Sequence, residues 1–348
     1  MGQVNYLDLF SGIGGFHTGL EEAGFKFNWT GHSEIDKYAK SIYQGHFKES
    51  EDLGDVSNIN VQDLPEIDLV SFGFPCQDLS IAGKRGGLQA SRSGLFYQAI
   101  RIIKAKRPSY FIFENVKGLF SSNGGLDWLN VLREIADIGY DGQWQLLNTR
   151  WFLPQNRERV YFVGYPRERS GQQIFPIGEE YKMVIKRESN STVVRTFTAG
   201  GNSGGKHSGM TLLKPLYNTS KNAQGARIYS PDGISQTISS GGGGLGAKTG
   251  LYEIQRHPLK FLDRSQKNIE GDYAFTISTS SFEHNNHVEG IRRLTPIECE
   301  RLQGFPDNWT KYGKDGELIS DTQRYKTLGN AVSVPVVKAV GRRIEWAK

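Results

Sequence analysis

An α/β fold built on a mostly parallel sheet is what this 348-residue chain predicts, and three observations carry the prediction. Short apolar runs recur along the first half, and the first of them, Tyr6-Leu7-Asp8-Leu9-Phe10, ends in a glycine-rich turn. Stretches with helical spacing separate these runs up to about residue 165. Repeated strand–helix–strand order places parallel strands side by side with helices on both faces.

Taken in order, the turn after the first strand opens a helix that runs to Gly24, a residue suited to a left-handed C-terminal cap. Phe27-Asn28-Trp29 begins a second strand, and Ile67–Phe72 and Tyr110–Phe113 are strand-like runs rich in β-branched and aromatic residues. Between those two, Leu95, Phe96, Ala99, Ile100 and Ile103 recur at helical spacing, which predicts a helix over 94–106 that Pro108 stops. Val160-Tyr161-Phe162-Val163 reads as a further buried strand.

The texture changes after about residue 168. Between 190 and 250 there are 13 glycines among many Ser, Thr and Asn, with little helical periodicity. A structureless loop of that length is uncommon in a compact domain, so a small, loop-rich, β-containing domain is predicted. Three segments in this region resemble one another: 196–201, 236–241 and 275–280. They are read as Thr/Ser-rich strands of similar composition. Helical patterning returns at Thr295-Pro296-Ile297-Glu298, which has the residues of a capping box, and this helix should end at Gly304. The segment from Pro335 is expected to pack back on the first domain.

Composition narrows the class without naming the function. A net charge of +5 is compatible with a polyanionic partner but is too mild to require one. Two cysteines, Cys76 and Cys299, cannot form a disulfide framework or a Cys-rich zinc site, and no His/Cys cluster has ligand spacing, so no metal is expected. No apolar stretch approaches the ~20 residues of a membrane span. The start, Met1-Gly2-Gln3-Val4-Asn5, lacks the basic and apolar regions of a secretory signal. A reducing cytoplasm is the expected location.

Individual residues then point to chemistry. The turn Asp8-Leu9-Phe10-Ser11-Gly12-Ile13-Gly14-Gly15-Phe16 would let backbone approach a nucleotide-like ligand. A dinucleotide fingerprint would place its third glycine at position 17, where this chain has His17, so a pyrophosphate is poorly matched. Twenty residues past Gly14, Glu34 is placed to bind the ribose hydroxyls of a nucleoside, and Asp55 within Gly54-Asp55-Val56 suits an adenine amino group. Cys76, in Gly73-Phe74-Pro75-Cys76-Gln77, follows an apolar strand at the edge where α/β sheets bind ligands. The segment 78–94, with Lys84 and Arg85, has the composition of a mobile lid. Those features favour a nucleophile at Cys76, whereas Cys299 is read as a buried structural thiol. Glu114 in Glu114-Asn115-Val116 should point to the same edge, and Arg157 and Arg159 share a face if their segment is extended.

The ordered set DLFSGIGGF (8–16), Glu34, GDV (54–56), GFPCQ (73–77), ENV (114–116), QNRERVYFVG (155–164), RRLTPIECERLQGFPDNW (292–309) and YKTLGNAVSVP (325–335) resembles the DNA (cytosine-5)-methyltransferase family, in its bacterial and phage restriction–modification form. The likeness spans the chain except about 168–290, where that family carries its variable target-recognition domain.

The resemblance implies a Rossmann-like, S-adenosylmethionine-dependent methyltransferase domain over 1–167, completed by 318–348. It also implies a target-recognition domain over 168–290 and a connecting hinge over 291–317. It makes Cys76 the nucleophile and Glu114 the acid, with Arg159 on the flipped base and Arg157 nearby. Phe16, Glu34, Ile35, Asp55, Val56, Pro75, Leu95, Asn330 and Val332 match cofactor-contacting positions, and Phe10, Gly12 and Gly14 belong to the same turn. The implied chemistry explains the residue types. Attack of a thiolate on cytosine C6 makes C5 nucleophilic enough to accept a methyl group. Glu114, protonated or sharing a proton with cytosine N3, would keep negative charge off the ring. Double-stranded DNA is the implied partner, and 161–290 carries 15 Lys/Arg against 11 Asp/Glu, in keeping with phosphate contact. Asn202, Lys206, His207 and Lys248 on glycine-rich loops are candidates for base reading. The enzyme is expected to act as a monomer in the nucleoid-associated cytoplasm. A restriction endonuclease acting on the same site without a stable complex is a further expected partner. An RNA cytosine-C5 methyltransferase and a silent DNA-binding protein on the same fold are the rival readings.

Overall fold

The computed structural model describes residues 3–74, 94–169, 172–178 and 294–345, together with six short strands between 217 and 292. Seven strands form the main sheet: β1 (Gln3–Leu9), β2 (Lys26–Ser33), β3 (Glu51–Asp52), β4 (Leu69–Gly73), β5 (Tyr110–Val116), β6 (Tyr140–Asn148) and β7 (Glu158–Pro166). Their spatial order is β3-β2-β1-β4-β5-β7-β6. The pairings among β1 to β5 are parallel, while β7 runs antiparallel to both β5 and β6. The short connection over 149–157 allows only this outcome. A parallel crossover needs a dozen or more residues, so β6 and β7 fold as a hairpin.

Period-two alternation sorts the strands' side chains between two layers. Leu7, Leu9, Phe111 and Phe113 face one side, where they pack with Phe96, Ile100 and Ile103 of α3 (Leu95–Lys106) and with Val131 and Ile135 of α4 (Leu126–Asp137). Tyr6, Tyr110 and Ile112 face the other, against Phe16 and Leu20 of α1 (Gly15–Ala23) and Val336, Val337 and Val340 of α7 (Val334–Gly341). Each such side chain removed from water contributes about 1.5–3 kcal/mol. Helices α1 and α7 approach closely because Gly19 has no side chain: a Cβ there would lie 2.6 Å from Val337 Cβ. The C-terminal segment therefore packs back on the first sheet, as its pattern predicts.

The helix ends follow from local chemistry. Helix α3 begins after Gly94 and ends at Arg107, in the left-handed region, one residue before Pro108. Asp36 caps α2 (Lys37–His46) by accepting the N–H groups of Tyr38 and Ala39. Helix α5 (Pro296–Gln303) has the predicted capping box: Thr295 Oγ1 accepts Glu298 N–H, Glu298 Oε2 accepts Thr295 N–H, and Gly304 ends the helix at φ 85°. Helix α6 (Asp321–Asn330) packs with α2 and α5, its Leu328 sharing an apolar cluster with Ile42, Cys299 and Leu302.

Side chains of β6 also bind a segment across one face of the sheet. Gln143 Oε1 accepts the N–H groups of Ile174 and Phe175, and Gln145 Oε1 accepts that of Ile177. Alternate side-chain amides thus hold the 172–178 segment, whose Ile174, Phe175 and Ile177 pack with Tyr110, Ile112 and Val163.

The glycine-rich region carries β structure. Strands β8 (Tyr217–Asn218), β9 (Arg227–Tyr229), β10 (Leu251–Glu253) and β13 (Ile291–Arg292) make a sheet of order β13-β10-β9-β8, and β11 (Lys260–Leu262) pairs with β12 (Asn268–Glu270). The three mutually similar segments at 196–201, 236–241 and 275–280 lie outside the described residues.

Candidate active site

Strand β1 has β2 on one side and β4 on the other, so the chain's direction of winding reverses there. Ligands bind α/β sheets at such a switch, beyond the carboxyl ends of the strands. The predicted residues of both clusters, cofactor and catalytic, come from the segments that follow β1, β2, β3 and β4, from the carboxyl end of β5, from the starts of α3 and β7, and from the chain around the end of α6.

The turn after β1 is shaped for close approach. Phe10 and Gly12 have φ of 53° and 56°, and Gly14, at 89°, precedes α1. A Cβ at Gly14 would lie 2.4 Å from Phe47 Cε2, so a larger residue would displace α2 from the turn. Gly12 is the opposite case, because a Cβ there meets nothing within 4 Å. Its N–H donates to Glu34 Oε2 at 2.9 Å, while Glu34 Oε1 accepts the N–H groups of Ile35 and Asp36, each at 2.8 Å. Three backbone donors therefore fix the Glu34 carboxylate between the ends of β1 and β2. Ile35 beside it is 73% exposed, an unusual state for isoleucine. Asp55 is exposed and accepts Ser57 N–H, which starts a single helical turn, and Val56 is buried beneath it.

These observations fit a nucleoside-containing cofactor. They comprise a fixed carboxylate, an exposed apolar side chain next to it and, among the described residues, a glycine with no neighbour at its Cβ position and a buried Ser11 hydroxyl with no hydrogen-bond partner. Of the two C-terminal candidates, one meets the turn. Asn330 is exposed, whereas Val332 is buried against the turn, its Cγ2 only 2.6 Å from where a Gly15 Cβ would stand. Phe16 is 4% exposed and packs in the core with Val332, and Leu95 is half-buried at the start of α3. His17 occupies the position of a third fingerprint glycine. Its ring stacks on Phe47 at 3.8 Å and its Nδ1 is 2.8 Å from Tyr43 Oη, so aromatic packing replaces the close helix–strand contact that glycine would permit.

The second cluster lies across β4, β5 and β7. Glu114 is 9% exposed on β5, in register with Gly73 of β4 and Tyr161 of β7. Its Oε1 is 3.0 Å from Arg159 Nε, a charge contact without the alignment of a hydrogen bond. Its Oε2 faces Gly73, where a Cβ would come within 3.6 Å. Asn115, buried next to Glu114, donates from Nδ2 to the carbonyl of Phe74 at 2.8 Å and so holds the end of β4 in place. Pro75, Cys76 and the lid segment up to Ser93 lie outside the described residues, as do Asn202, Lys206, His207 and Lys248.

The two arginines have different surroundings. Arg159 meets Glu114, but Arg157 is 3% exposed and donates to the carbonyls of Gly329 and Ala331. Burial, helped by the charge of Arg159, pushes the Arg157 guanidinium down to about 10, still a cation at neutral pH. Strand β7 starts at Glu158, so the alternation that would put both arginines on one face does not extend to Arg157. Cys299 is fully buried, and burial pushes its thiol up to about 12, which suits a structural residue.

Beneath the turn lies a buried polar row that the sequence did not single out. Asp8 is in register with Ser71 of β4 and His32 of β2. Ser71 Oγ donates to Asp8 Oδ1 at 2.7 Å, and Tyr6 Oη is 2.6 Å from Ser71 Oγ. Burial pushes the Asp8 carboxyl from 3.8 up to about 8, so it holds a proton at neutral pH. The folded state then binds a proton that the unfolded state has lost. The stability this contributes is complete below about pH 4 and is lost as pH rises through about 8. The melting temperature should accordingly fall between pH 6 and 9 more steeply in the wild type than in Asp8→Asn. Parallel melting curves across that range would sink the assignment.

Among the described residues no group of three or more His, Cys, Asp or Glu side chains is arranged to hold a metal, and no helix is long and apolar enough to cross a membrane. A family model for the C-5 cytosine-specific DNA methylases matches residues 4–346. The chain is 33% identical to the type II methyltransferase M.HpaII of Haemophilus parainfluenzae, over 98% of this chain and 89% of that protein. It is 30% identical to the orphan methyltransferase M.SPRI of Bacillus phage SPR, over 99% of this chain and 98% of that one. In fold it is similar to the Dnmt2 methyltransferase of S. pombe, with a TM-score of 0.63 at 20% identity, covering 97% of this chain and 96% of the other.

Proposed function

The chain belongs to the C-5 cytosine-specific DNA methylase family and is a DNA (cytosine-5)-methyltransferase, and from that premise we propose a site-specific enzyme that methylates a flipped-out cytosine through a covalent Cys76–C6 adduct. The observation that carries the reading is the Glu114–Arg159 contact at the sheet's carboxyl edge, beside the strand that leads into Cys76.

In this reading the Cys76 thiolate adds to C6 of the cytosine. A free thiol with pKa ~8.5 is mostly protonated at neutral pH, so nearby cations assist by raising the thiolate fraction. Glu114 binds N3 and the exocyclic amine side of the ring, and Arg159 both orients that carboxyl and contacts the base. Arg157 acts at one remove, by tying the start of β7 to the chain at Gly329 and Ala331. S-adenosylmethionine supplies the methyl group when bound. Glu34 would hold the ribose and Asp55 the adenine edge, with Ile35, Phe10, Gly12, Gly14, Phe16, Val56, Pro75, Leu95, Asn330 and Val332 forming the rest of the pocket. Transfer of the C5 proton to water then breaks the C6–S bond, releases Cys76 as the thiolate and restores the C5–C6 double bond. Unstacking the cytosine costs a few kcal/mol, recovered from contacts in the pocket.

Residues 168–290 read the DNA as a recognition domain, 291–317 connect it, and 1–167 with 318–348 form the catalytic domain. The enzyme works as a monomer in the cytoplasm, and an endonuclease of the same site specificity acts separately from it.

The direct test incubates unmethylated genomic DNA with the protein and S-adenosylmethionine, then maps modified cytosines at base resolution. C5-methylcytosine confined to one short motif is the expected result. Methylation without sequence preference removes site recognition, and none at all sinks the DNA substrate and sends the assay to RNA. A second expectation concerns the cofactor site. Glu34→Ala should weaken S-adenosylhomocysteine binding by about 10-fold or more, since a charge-assisted hydrogen bond is worth ~1.5–3 kcal/mol, while leaving the methylated motif unaltered. Unchanged affinity in calorimetry would take Glu34 out of the ribose site.

A further inference from the structure

We propose that Trp309 is a positioning residue for the cofactor turn, acting through the backbone carbonyl of Ile13. The inference rests on the cofactor site proposed above. Trp309 Nε1–H donates to Ile13 O at 2.9 Å across a sequence separation of 296 residues. Ile13 lies between Gly12, whose N–H engages Glu34, and Gly14, which touches Phe47. The turn is therefore held at three successive residues, and Trp309 supplies the hold on the middle one.

The indole is itself held from every side. His46 stacks on it at 3.5 Å with an interplanar angle of 3°, and His46 Nε2 is 2.7 Å from Trp309 O. Burial lowers the His46 imidazole's affinity for a proton, so it stays neutral and donates its Nε2–H to that carbonyl. Phe305 and Phe47 pack on the other edges, with ring centroids 5.3 and 6.0 Å away. The backbone on both sides of Trp309 is clamped by one carboxylate. Glu300 Oε2 accepts Asn308 N–H at 2.7 Å and Glu300 Oε1 accepts Thr310 N–H at 2.8 Å.

An N–H group aimed at a turn carbonyl is more than packing requires. The hydrophobic neighbours of Trp309 would be served equally well by a phenyl ring. Among the described residues the side-chain donor to Ile13 O is the indole nitrogen, and Ile13 O is an acceptor on the loop that must keep left-handed residues on either side of it. Glu300 belongs to α5, which follows β13 of the second sheet, so Trp309 also ties the cofactor turn to the chain returning from the proposed recognition domain.

Calorimetric titration of the full-length protein with S-adenosylhomocysteine tests this. Trp309→Phe keeps a ring and removes the donor, and its dissociation constant should rise about 3- to 10-fold, the loss expected for one hydrogen bond. With DNA present, the rise should appear in KM for the methyl donor, with kcat changed less. His46→Ala, which loosens the indole without touching the turn, should shift affinity in the same direction by less. Cys299→Ala, a packing change in the same apolar cluster, should leave affinity unaltered while lowering stability. If Trp309→Phe melts lower but binds as tightly as the wild type, the residue is only structural and the inference is overturned. An equal loss of affinity in Cys299→Ala overturns it as well. Failure of the wild-type protein to bind S-adenosylhomocysteine would instead sink the cofactor site on which the inference rests.

Discussion

Cys76→Ala should reduce methyl transfer by on the order of 10⁴-fold or more, the scale seen when a nucleophile is removed from a covalent mechanism. Cytosine C5 is too weak a nucleophile to take a methyl group unless C6 first accepts an electron pair, and alanine has none to offer. Binding should survive, because the fixed Glu34 carboxylate and the Glu114–Arg159 contact come from other strands. Transfer of labelled methyl groups and retention of S-adenosylhomocysteine affinity check the two halves separately. Duplex DNA carrying 5-fluorocytosine adds a third readout. Fluorine cannot leave C5 as a proton does, so the wild type should remain covalently attached and Cys76→Ala should not. Substantial residual methylation in the variant, or an equal yield of adduct, would refute Cys76 as the nucleophile.

Glu300→Ala should be the most destabilising change among the described residues, costing about 3–5 kcal/mol, the usual effect of removing one partner from a buried ion pair. Glu300 is 0% exposed and accepts Asn308 N–H, Thr310 N–H, Thr310 Oγ1 and Arg324 Nη2. Alanine removes the acceptor these four donors share and leaves the Arg324 guanidinium, itself 8% exposed, with only Thr310 Oγ1 and the largely exposed Asp321 carboxylate beside an empty volume. A melting temperature lower by roughly 6–20 °C is expected, from about 2–4 °C per kcal/mol for larger domains. The double variant Glu300→Ala, Arg324→Met should recover part of that loss, because no unpaired charge then remains. A single variant that melts within 2 °C of the wild type, by the same scale, would show that the cluster is not a buried charge network.

The consequence reaches the cofactor site. The residues Glu300 clamps flank Trp309, and Trp309 holds Ile13. One helix that follows the glycine-rich region therefore supplies both a stability core and a hold on the turn after β1. Chemically, Glu300 resembles its neighbour Glu298, which caps the same helix from a half-buried position. Nothing in their spacing tells a reader which carboxylate is half-buried and which is fully buried.

Short-range patterns were legible in the chain itself. The strand runs, the helix over 95–106, the capping box at Thr295 and the left-handed ends at Gly24 and Gly304 all depend on residues within a few positions of each other. So did the ordered motifs, which pointed to the family, because each is a contiguous string. What the sequence could not supply were relations between segments distant in the chain. The antiparallel β7 follows from the hairpin with β6, and the use of Gln143 and Gln145 as acceptors for backbone N–H groups depends on where 172–178 lies. Arg157 and Arg159, two residues apart, were paired by alternation, yet one serves the carbonyls of Gly329 and Ala331 and the other meets Glu114. Asp8 reads as part of a turn motif, and only burial among Tyr6, Ser71 and His32 makes it a protonated acid. The physical reason is common to all of these cases. Local conformation is set by propensity and capping along the chain, whereas a side chain's charge state and partner are set by desolvation and contacts, which exist only once distant segments have packed.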